Sequence, residues 1–397
     1  MFIDDLPTPC LLIERRRLEA NLARMQATAE AQGVALRPHV KTHKSVRLAR
    51  WQRERGARGL TVATVDEAEV FVAAGFEDVC LAYPVVGAER HARLQRLADR
   101  ARISFCVDTV AGAEAASAAW AGAGRRADVF VEIDVGHGRT GVPWHHADAE
   151  VLARRVAALP GLRLAGILTH EGQAYHGPAH DGEDEVGALR RVAREAVGRM
   201  LDVAVRWRAA GVPGAEPGAF TLSIGSTPSM AGFENAGRDG FRITEIRPGN
   251  YVFNDATQVG LGSARWADCA LTVLATVISK RRDPTGRERF FLDAGKKVLT
   301  ADGGYGTDGY GRLLYNARTM TPLPHARLTA LSEEHGWGVV PGGAPFDVGD
   351  RVRIVPNHAC VTVHTQDEVY LVDGDTVIEA LPVDARGRRR ISGRGGE

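Results

Sequence analysis

The strongest constraint on the fold of this chain is a regular alternation of short apolar strands with amphipathic helices. Candidate strands lie at 34–40, 59–63, 79–82, 103–107, 128–134, 163–169, 220–224 and 242–246. Helical patterns lie between many of them, at 65–75, 87–100, 109–120, 146–158 and 185–210. Eight strands, each followed by a helix or a turn, in about 240 residues match an α/β protein with a (β/α)8 TIM barrel. The count alone leaves a doubly wound open sheet as the alternative.

The pattern changes after about residue 262, where short apolar, partly β-branched runs have no long helices between them. Such runs lie at 270–278, 290–292, 351–355 and 368–372. They predict a smaller β-rich C-terminal domain, and 397 residues exceed what one hydrophobic core usually serves. We therefore expect a barrel over 14–260 and a β-rich domain over 261–385. Strand 1–13 is expected to join the second domain, and 386–397 to form a disordered tail.

The candidate strands end in residues of catalytic type. Barrel enzymes place their active sites at the C-terminal ends of the strands. The residues found there are Lys41, Thr64, Tyr83, Asp108, 136–139, His170, 225–227 and 247–250. Nearly all are polar or glycine-rich, which favours an active site at this end of the barrel.

Lys41 stands out among these residues because lysine is rare in the chain. There are five lysines against 45 arginines, and a lysine can lose its proton and attack a carbonyl where an arginine cannot. Lys41 follows an apolar run and lies between His39 and His43. A solvated surface charge remains the alternative interpretation.

Two segments at neighbouring strand ends have the composition of an anion-binding loop. They are 223–229, Ser-Ile-Gly-Ser-Thr-Pro-Ser, and 247–251, Arg-Pro-Gly-Asn-Tyr. Small residues allow backbone N–H groups to approach an anion, and the last loops of a barrel often hold phosphate. Either segment alone could be an ordinary turn. Together with a reactive lysine they predict pyridoxal 5'-phosphate as cofactor.

The same residues carry a resemblance to a known family. Lys41, Arg139 within 138–141, Thr169-His170 and Arg247-Pro248-Gly249 resemble the barrel of alanine racemase and other fold type III pyridoxal phosphate enzymes. Segments 37–44, 244–251, 292–297 and 331–336 look like the D-threonine aldolase and D-serine dehydratase branch. The resemblance runs from about Thr8 to Val377.

The resemblance implies a role for each matching residue. Lys41 would hold the cofactor covalently and return the Cα proton, and Arg139 would contact the phenolic oxygen. Ser226, Thr227, Gly249 and Asn250 would cradle the phosphate, and Arg247 would orient His170 or the pyridine side. Gln173 and Tyr175 would lie near cofactor or substrate. Further acid–base candidates are His43, His170, His180 and His335.

The segment 355–360 adds a metal-binding candidate. If it is a strand, His358 and Cys360 point to the same side and can bind one ion. Imidazole with thiolate suits Zn²⁺, and two ligands leave positions open for substrate. In the resembled branch His-x-Cys is associated with dehydratases. The aldolases carry His-x-Asp, which suits Mn²⁺ or Mg²⁺ with their preference for oxygen ligands.

These observations predict a lyase that dehydrates D-serine, D-threonine or 3-hydroxyaspartate to a 2-oxo acid and ammonia. An aldolase releasing glycine and an aldehyde uses the same cofactors and is the first alternative. A non-catalytic pyridoxal phosphate carrier and a racemase are more distant ones. The resemblance also implies a homodimer, in which Asp293 and Asp302 complete a neighbouring subunit's pocket or are simply turn residues.

The composition of the chain argues against some classes of binding partner and indicates a cell compartment. A formal net charge of +1 argues against nucleic acid or an anionic membrane as the main partner. Five cysteines without a CxxC pair indicate free thiols and a reducing compartment. The N-terminus has no signal-peptide pattern, and no apolar run approaches the roughly 18 residues of a membrane span. We therefore expect a cytoplasmic protein whose partner is a small D-amino acid.

Overall fold

The computed structural model describes residues 1–314, 317 and 319–388. The expected tail over 386–397 therefore lies outside the described residues from 389 onward. No described helix is long and apolar enough to span a membrane.

The first part of the chain alternates strands and helices as the sequence predicts. Its strands are β1 (Cys10–Glu14), β2 (Ala35–Leu36), β3 (Leu60–Val62), β4 (Asp78–Pro84), β5 (Arg102–Val107), β6 (Ala127–Asp134), β7 (Val142–Pro143), β8 (Leu162–Leu168), β9 (Thr221–Ile224), β10 (Gly237–Arg238), β11 (Phe241–Arg242) and β12 (Glu245–Ile246). Its helices are α1 (Arg15–Ala31), α2 (Val46–Glu54), α3 (Val65–Ala73), α4 (Ala88–Leu97), α5 (Val110–Gly122), α6 (Asp148–Ala158), α7 (Glu185–Ala209) and α8 (Ala256–Gly260).

Eight of these strands form a parallel barrel. Their order is β2-β12-β9-β8-β6-β5-β4-β3, and a parallel bridge between His39 and Thr61 joins the two ends of this row. The ring is therefore closed, which confirms the barrel and excludes the open sheet. Strand β2 is shorter than the predicted 34–40 because Pro38 has no N–H to donate. Arg242 pairs in the β10–β11 hairpin, so β12 begins only at Glu245.

The second part of the chain is an antiparallel β structure. It contains β13 (Leu271–Arg282), β14 (Glu288–Leu292), β15 (Arg312–Leu314), β16 (Pro322–Leu331), β17 (Gly336–Val340), β18 (Arg351–Val355), β19 (Glu368–Asp373) and β20 (Thr376–Pro382), with short helices α9 (Lys296–Leu299) and α10 (Ala359–His364). Strand β13 pairs with both β14 and β18, which closes a ring through β17, β16 and β15. The β-rich second part is thus confirmed.

Strand β1 lies in this second sheet although it opens the chain. It pairs antiparallel with β13 and parallel with β19. The hydrophobic core of the sheet also takes in Leu18 and Leu22 of α1, together with Tyr251 and Phe253 beside the barrel mouth. This shared core packs helix α1 and the loop after barrel strand β12 against the β structure. The residue at which the two domains divide stays a prediction.

Candidate active site

A cavity of about 220 Å³ opens at the C-terminal ends of the barrel strands. It is lined by His39, Lys41, Thr42, His170, Tyr175, Gly225, Ser226, Thr227, Arg247, Gly249, Asn250, His358 and Cys360. Ten of the thirteen residues predicted from the sequence lie on this cavity; His43, Arg139 and Gln173 do not. A larger cleft of about 460 Å³ beside Trp266 and Arg312 contains none of the predicted residues.

Lys41 lies in the loop between β2 and α2, half-buried. Within the described residues it has no ion-pair partner, whereas nearby Lys44 is bound to the buried carboxylate of Glu67. Burial lowers the pKa of Lys41 below 10.5, and the charges of Arg139 and Lys44 lower it further, against Cys360 and Glu67. The amine of Lys41 therefore loses its proton more readily than that of an ordinary lysine.

His43 is buried behind this loop and points away from the cavity. Its Nδ1 accepts a hydrogen bond from the Ser45 N–H at 3.0 Å, and its Nε2 lies 3.2 Å from Gln52 Oε1. Burial lowers the pKa of His43 to about 4. A neutral imidazole with both nitrogens engaged supports the loop that carries Lys41.

Arg139 and Gln173 lie beside the cavity. Arg139 is exposed in the loop after β6, and its positive charge contributes to lowering the pKa of both Lys41 and His170. Gln173 donates from Nε2 to the Val135 carbonyl at 3.1 Å, while its buried Oε1 has no partner in the part of the chain that the structure describes. Of the other two histidines named from sequence, His180 is exposed and His335 lies in the second sheet's turn 332–335, away from the cavity.

The loops after β9 and β12 lie close together, and the loop after β12 also lies against the Lys41 loop, because two positions are glycine. A Cβ on Gly225, whose φ is +155°, would lie 2.6 Å from the Arg247 nitrogen. A Cβ on Gly249 would lie 2.9 Å from the His39 carbonyl oxygen and 3.0 Å from Thr42 Oγ1. The buried Oδ1 of Asn250 has no partner among the described residues. The two loops therefore form a narrow polar cradle suited to a phosphate group.

Replacing Gly225 with alanine should disrupt this cradle. The added Cβ meets the Arg247 backbone, and a non-glycine residue in such a conformation costs about 1–3 kcal/mol. We expect the affinity for pyridoxal phosphate, measured by absorbance titration, to fall by roughly tenfold or more. The matched control is Gly218→Ala, since a Cβ at Gly218, also at positive φ, meets no atom within 4 Å. Equal affinity in both variants would contradict the prediction.

His170 and Glu171 hold Gly225 from both sides. Glu171 Oε2 accepts the Gly225 N–H at 2.9 Å, and His170 Nδ1 lies 3.0 Å from the Gly225 carbonyl oxygen. A carbonyl can only accept, so the proton of a neutral His170 is on Nδ1 and its Nε2 carries a lone pair. Burial, with the charge of Lys41, lowers the pKa of His170 to about 3, so the ring is neutral.

Arg247 is fixed by a buried chain of polar groups inside the barrel. Its guanidinium donates to Ser223 Oγ and to the Thr169 carbonyl. Ser223 Oγ in turn donates to Glu245 Oε1 at 2.6 Å, and Arg37 Nε binds Glu245 Oε2 at 2.6 Å. Burial alone would raise the pKa of Glu245, but the charge of Arg37 holds it lowered. Arg247 therefore reaches the cavity in one orientation.

His358 and Cys360 meet the cavity from the β structure, but not on a strand as predicted. Strand β18 ends at Val355, and His358 is the N-cap of helix α10, which contains Cys360. Pro356 cannot continue the strand ladder, and the buried carboxylate of Asp255 accepts the Ala359 N–H at 2.9 Å, which stabilises the helix start. The i, i+2 geometry of a strand is therefore the wrong reason for the pairing.

The two side chains nonetheless form a polar pair. Burial would raise the pKa of Cys360, but His358, Lys41 and Thr42 hold it lowered. Burial would lower the pKa of His358, yet Cys360, Asp255 and Asp302 raise it to about 10. Cys360 Sγ also lies 3.2 Å from Thr42 Oγ1. This arrangement places a thiol with a lowered pKa on the same cavity as Lys41.

The donor set fits a metal ion with open positions. Asp302 Oδ2 lies 2.8 Å from His358 Nδ1, which leaves Nε2 for a ligand bond. Among the described residues no group of three or more His, Cys, Asp or Glu side chains could hold a metal ion. The protein thus offers one imidazole and one thiolate, a set that suits zinc and leaves room for substrate or water.

Asp293 and Asp302 both bind within their own chain. Asp293 accepts hydrogen bonds from the Thr276 N–H at 2.8 Å and from Thr8 Oγ1 at 2.6 Å. Asp302 orients the His358 ring. Both residues thus have partners within their own chain, and Asp302 lies at the candidate metal site. The completion of a neighbouring subunit's pocket by either residue stays a prediction.

The barrel, the lysine and cradle at its mouth, and the antiparallel structure beside them define the class of fold type III pyridoxal phosphate enzymes. Family comparison agrees: residues 13–256 match the alanine racemase N-terminal domain, and residues 270–372 match a serine dehydratase domain. The chain belongs to this family, in the branch of lyases that contains D-threonine aldolase and D-serine dehydratase.

Relatives in this branch match nearly the whole chain. D-threo-3-hydroxyaspartate dehydratase of Delftia sp. strain HT23 is 36% identical over 369 residues, covering 90% of this chain and 92% of that protein. D-threonine aldolase of Arthrobacter sp. is also 36% identical, over 389 residues, which cover 96% of this chain and 93% of that protein.

Solved structures superpose closely on the chain. The Delftia sp. HT23 dehydratase has a TM-score of 0.85 and 34% identity, covering 96% of this chain and 98% of that one. A histidine-to-alanine mutant of D-threo-3-hydroxyaspartate dehydratase has a TM-score of 0.86 with 33% identity, covering 96% of each chain. A cysteine-to-alanine mutant of D-threo-3-hydroxyaspartate dehydratase in the metal-free form has a TM-score of 0.85 with 34% identity, covering 96% of this chain and 98% of that one. The two substituted positions are two residues apart, the spacing of His358 and Cys360.

Proposed function

We propose that this protein is a pyridoxal phosphate- and metal-dependent lyase that dehydrates D-β-hydroxy amino acids to a 2-oxo acid and ammonia. D-Serine, D-threonine and 3-hydroxyaspartate form the substrate class. The observation that carries the proposal is the His358 and Cys360 pair, which lines the same cavity as Lys41. A metal ion there can act on a substrate held at the lysine, and a soft thiolate ligand favours zinc over Mn²⁺ or Mg²⁺.

The residues of the cavity, with Arg139 beside it, would supply the contacts for the cofactor. Lys41 would hold it covalently, and Arg139 would approach its phenolic oxygen from the mouth. Ser226, Thr227, Gly249 and Asn250 would contact the phosphate, and the unpartnered Asn250 Oδ1 and the two glycines support this assignment. Arg247, fixed by Ser223, would face the pyridine side. Bound pyridoxal phosphate supplies an electron sink that makes the substrate Cα–H acidic.

The protein's own groups then move the protons. Lys41, with its lowered pKa, is the base that takes the Cα proton, and this proton and the β-hydroxyl leave together as water. His170 presents the lone pair of Nε2 and so accepts a hydrogen bond instead of donating one. His358 and Cys360 would hold a zinc ion, which would supply Lewis acidity for a β-hydroxyl leaving group. Tyr175 lies on the same wall, and burial raises the pKa of its phenol, so it stays protonated.

The aldolase is a second candidate because a D-threonine aldolase matches this chain at the same 36% identity as the dehydratase. Cys360 favours the dehydratase, and the existence of a cysteine variant of that enzyme in a metal-free form supports a ligand role for this position. A carrier without catalysis needs no His358 and Cys360 pair beside the cofactor lysine. A racemase would need a second base on the cavity wall.

Product analysis distinguishes these functions. Purified protein with pyridoxal phosphate and zinc would be incubated separately with D-serine, D-threonine and 3-hydroxyaspartate, with and without a chelator. We expect a 2-oxo acid and ammonia in equal amounts, and loss of both on chelation. Glycine with an aldehyde would establish the aldolase instead, and turnover unaffected by the chelator would refute the metal site.

We further propose that the enzyme is a cytoplasmic homodimer. The free thiols of all five cysteines, four of them buried, support a reducing compartment. The dimer rests on the resemblance to fold type III enzymes, whose second domain closes the partner's barrel. Light scattering on the purified protein tests it, and a monomer at micromolar concentration would refute it.

A further inference from the structure

Helix α2, which follows the Lys41 loop, receives its N-terminal cap from the far end of the chain. Among the described residues, the side chain of its N-cap residue Ser45 makes no capping hydrogen bond, and the buried Ser45 hydroxyl has no partner. Instead, Asp384 Oδ2 accepts the Val46 N–H at 2.7 Å across 338 positions. A carboxylate at this end also complements the helix dipole.

The residue after Asp384 holds the same loop at a second point. The Ala385 N–H donates to the Lys44 carbonyl at 3.0 Å, and Ala385 is only 4% exposed, packed in the barrel core. Lys44 has a φ of +52°, a conformation that side-chain-bearing residues rarely adopt without support from their surroundings. Two successive residues therefore fix the backbone three to five positions beyond Lys41.

The same segment is tied on its other side to the helix that carries Cys360. Arg386 Nε donates to the His364 carbonyl at the end of α10 at 2.8 Å. The Val383 N–H donates to the Asp367 carbonyl at 2.8 Å, and the Arg386 guanidinium pairs with the Asp367 carboxylate. Residues 383–386, which we term the C-terminal clip, thus bridge α10 and the Lys41 loop.

We propose that the C-terminal clip is a positioning element that keeps the loop of the cofactor lysine in a fixed position relative to the metal ligands. Asp384 is its principal positioning residue. The contact that it holds is the 3.2 Å approach of Thr42 Oγ1 to Cys360 Sγ, where the loop and α10 meet. The proposal rests on the proposed function only for the roles of Lys41 and Cys360.

The test compares three variants. Asp384→Ala removes the acceptor for the Val46 N–H, whereas Asp384→Asn retains a side-chain oxygen of the same length and should restore the contact. The matched control is Asp184→Ala, because Asp184 caps α7 by accepting the Gly187 N–H at 2.7 Å and does not line the cavity.

Thiol labelling supplies a readout that needs neither cofactor nor substrate. Cys360 is partly exposed, while the other four cysteines are buried, so a maleimide on metal-free protein reports mainly on Cys360. In Asp384→Ala we expect the labelling rate to rise about fivefold, as loss of a capping acceptor loosens the local structure. The rate of pyridoxal phosphate uptake, followed by absorbance, should fall by a similar factor. Asp384→Asn and Asp184→Ala should behave like the unmodified protein.

Equal labelling in Asp384→Ala and the unmodified protein would overturn the proposal. The same change in Asp184→Ala would overturn it too, since the effect would then be general loosening. Because neither readout depends on turnover, a failed dehydratase assay leaves this result standing, and an inert clip leaves the product analysis unaffected.

Discussion

Lys41→Ala should reduce turnover of D-β-hydroxy amino acids by at least about a thousandfold, because it removes the residue proposed as both the covalent anchor and the base. Lys41→Arg should be equally inactive, since a guanidinium keeps its proton. The measurement is 2-oxo acid release together with the absorbance of the protein-bound cofactor. Lys44→Arg is the matched control: it keeps a cation beside Glu67 and should retain most of the activity. Substantial activity in Lys41→Ala would exclude Lys41 as the anchor.

The pH dependence of cofactor capture provides an independent check of Lys41. Imine formation requires the neutral amine, so the rate should rise with pH and level off above the pKa of Lys41. Burial and the charge of Arg139 lower that pKa below the ordinary 10.5, so the midpoint should lie below 10.5 in the unmodified protein. Stopped-flow absorbance measures it. A midpoint at or above 10.5 would contradict the environment described for Lys41.

The parts of the site that follow from strand order could be predicted from sequence. Parallel strand ends meet at one edge of the barrel, so Lys41, His170, Gly225 and Arg247 had to gather there once the barrel was recognised. The closed ring of strands places these four residues on one cavity, and this could be inferred without knowing where each side chain points. Fold and cradle could therefore be inferred together.

The parts that depend on side-chain direction could not be predicted. His43 is two residues from Lys41, but the loop turns its ring inward to Gln52. The Asp255 carboxylate accepts hydrogen bonds from the side chain of Asn250, five residues before it, and from the Ala359 N–H, 104 residues after it. Glu171 was missed because its role lies in a single bond to the Gly225 N–H. None of these contacts leaves a periodic signal.

The segment 355–360 shows how two residues can reach the same cavity although the predicted local structure is wrong. The β-branched residues Val361, Thr362 and Val363 favour a strand by propensity. Tertiary contacts decide otherwise, because Pro356 ends β18 and Asp255 caps α10. The short spacing of His358 and Cys360 still brings both to the cavity, with His358 at the cap and Cys360 in the first turn.

Cys360→Asp should change the metal on which the enzyme depends. A carboxylate is a harder ligand than a thiolate, so the variant should lose zinc affinity and work best with Mn²⁺. We expect zinc-supported activity to fall by about a hundredfold, because the metal site then lacks the thiolate that suits zinc. Manganese should restore part of this activity. The measurement is activity of chelator-treated protein as each metal is titrated back.

Cys360→Ser is the matched control for this change. It is close in size to cysteine but offers a weakly coordinating hydroxyl in place of the thiolate, so neither metal should restore activity. The buried Cys269, whose pKa is raised by burial, offers a second control as Cys269→Ser, which should leave the metal preference unchanged. If Cys360→Asp kept its preference for zinc, the thiolate would not select the metal. The argument for a dehydratase over an aldolase would then lose its basis in this residue, because both reactions use the same lysine, cradle and histidine.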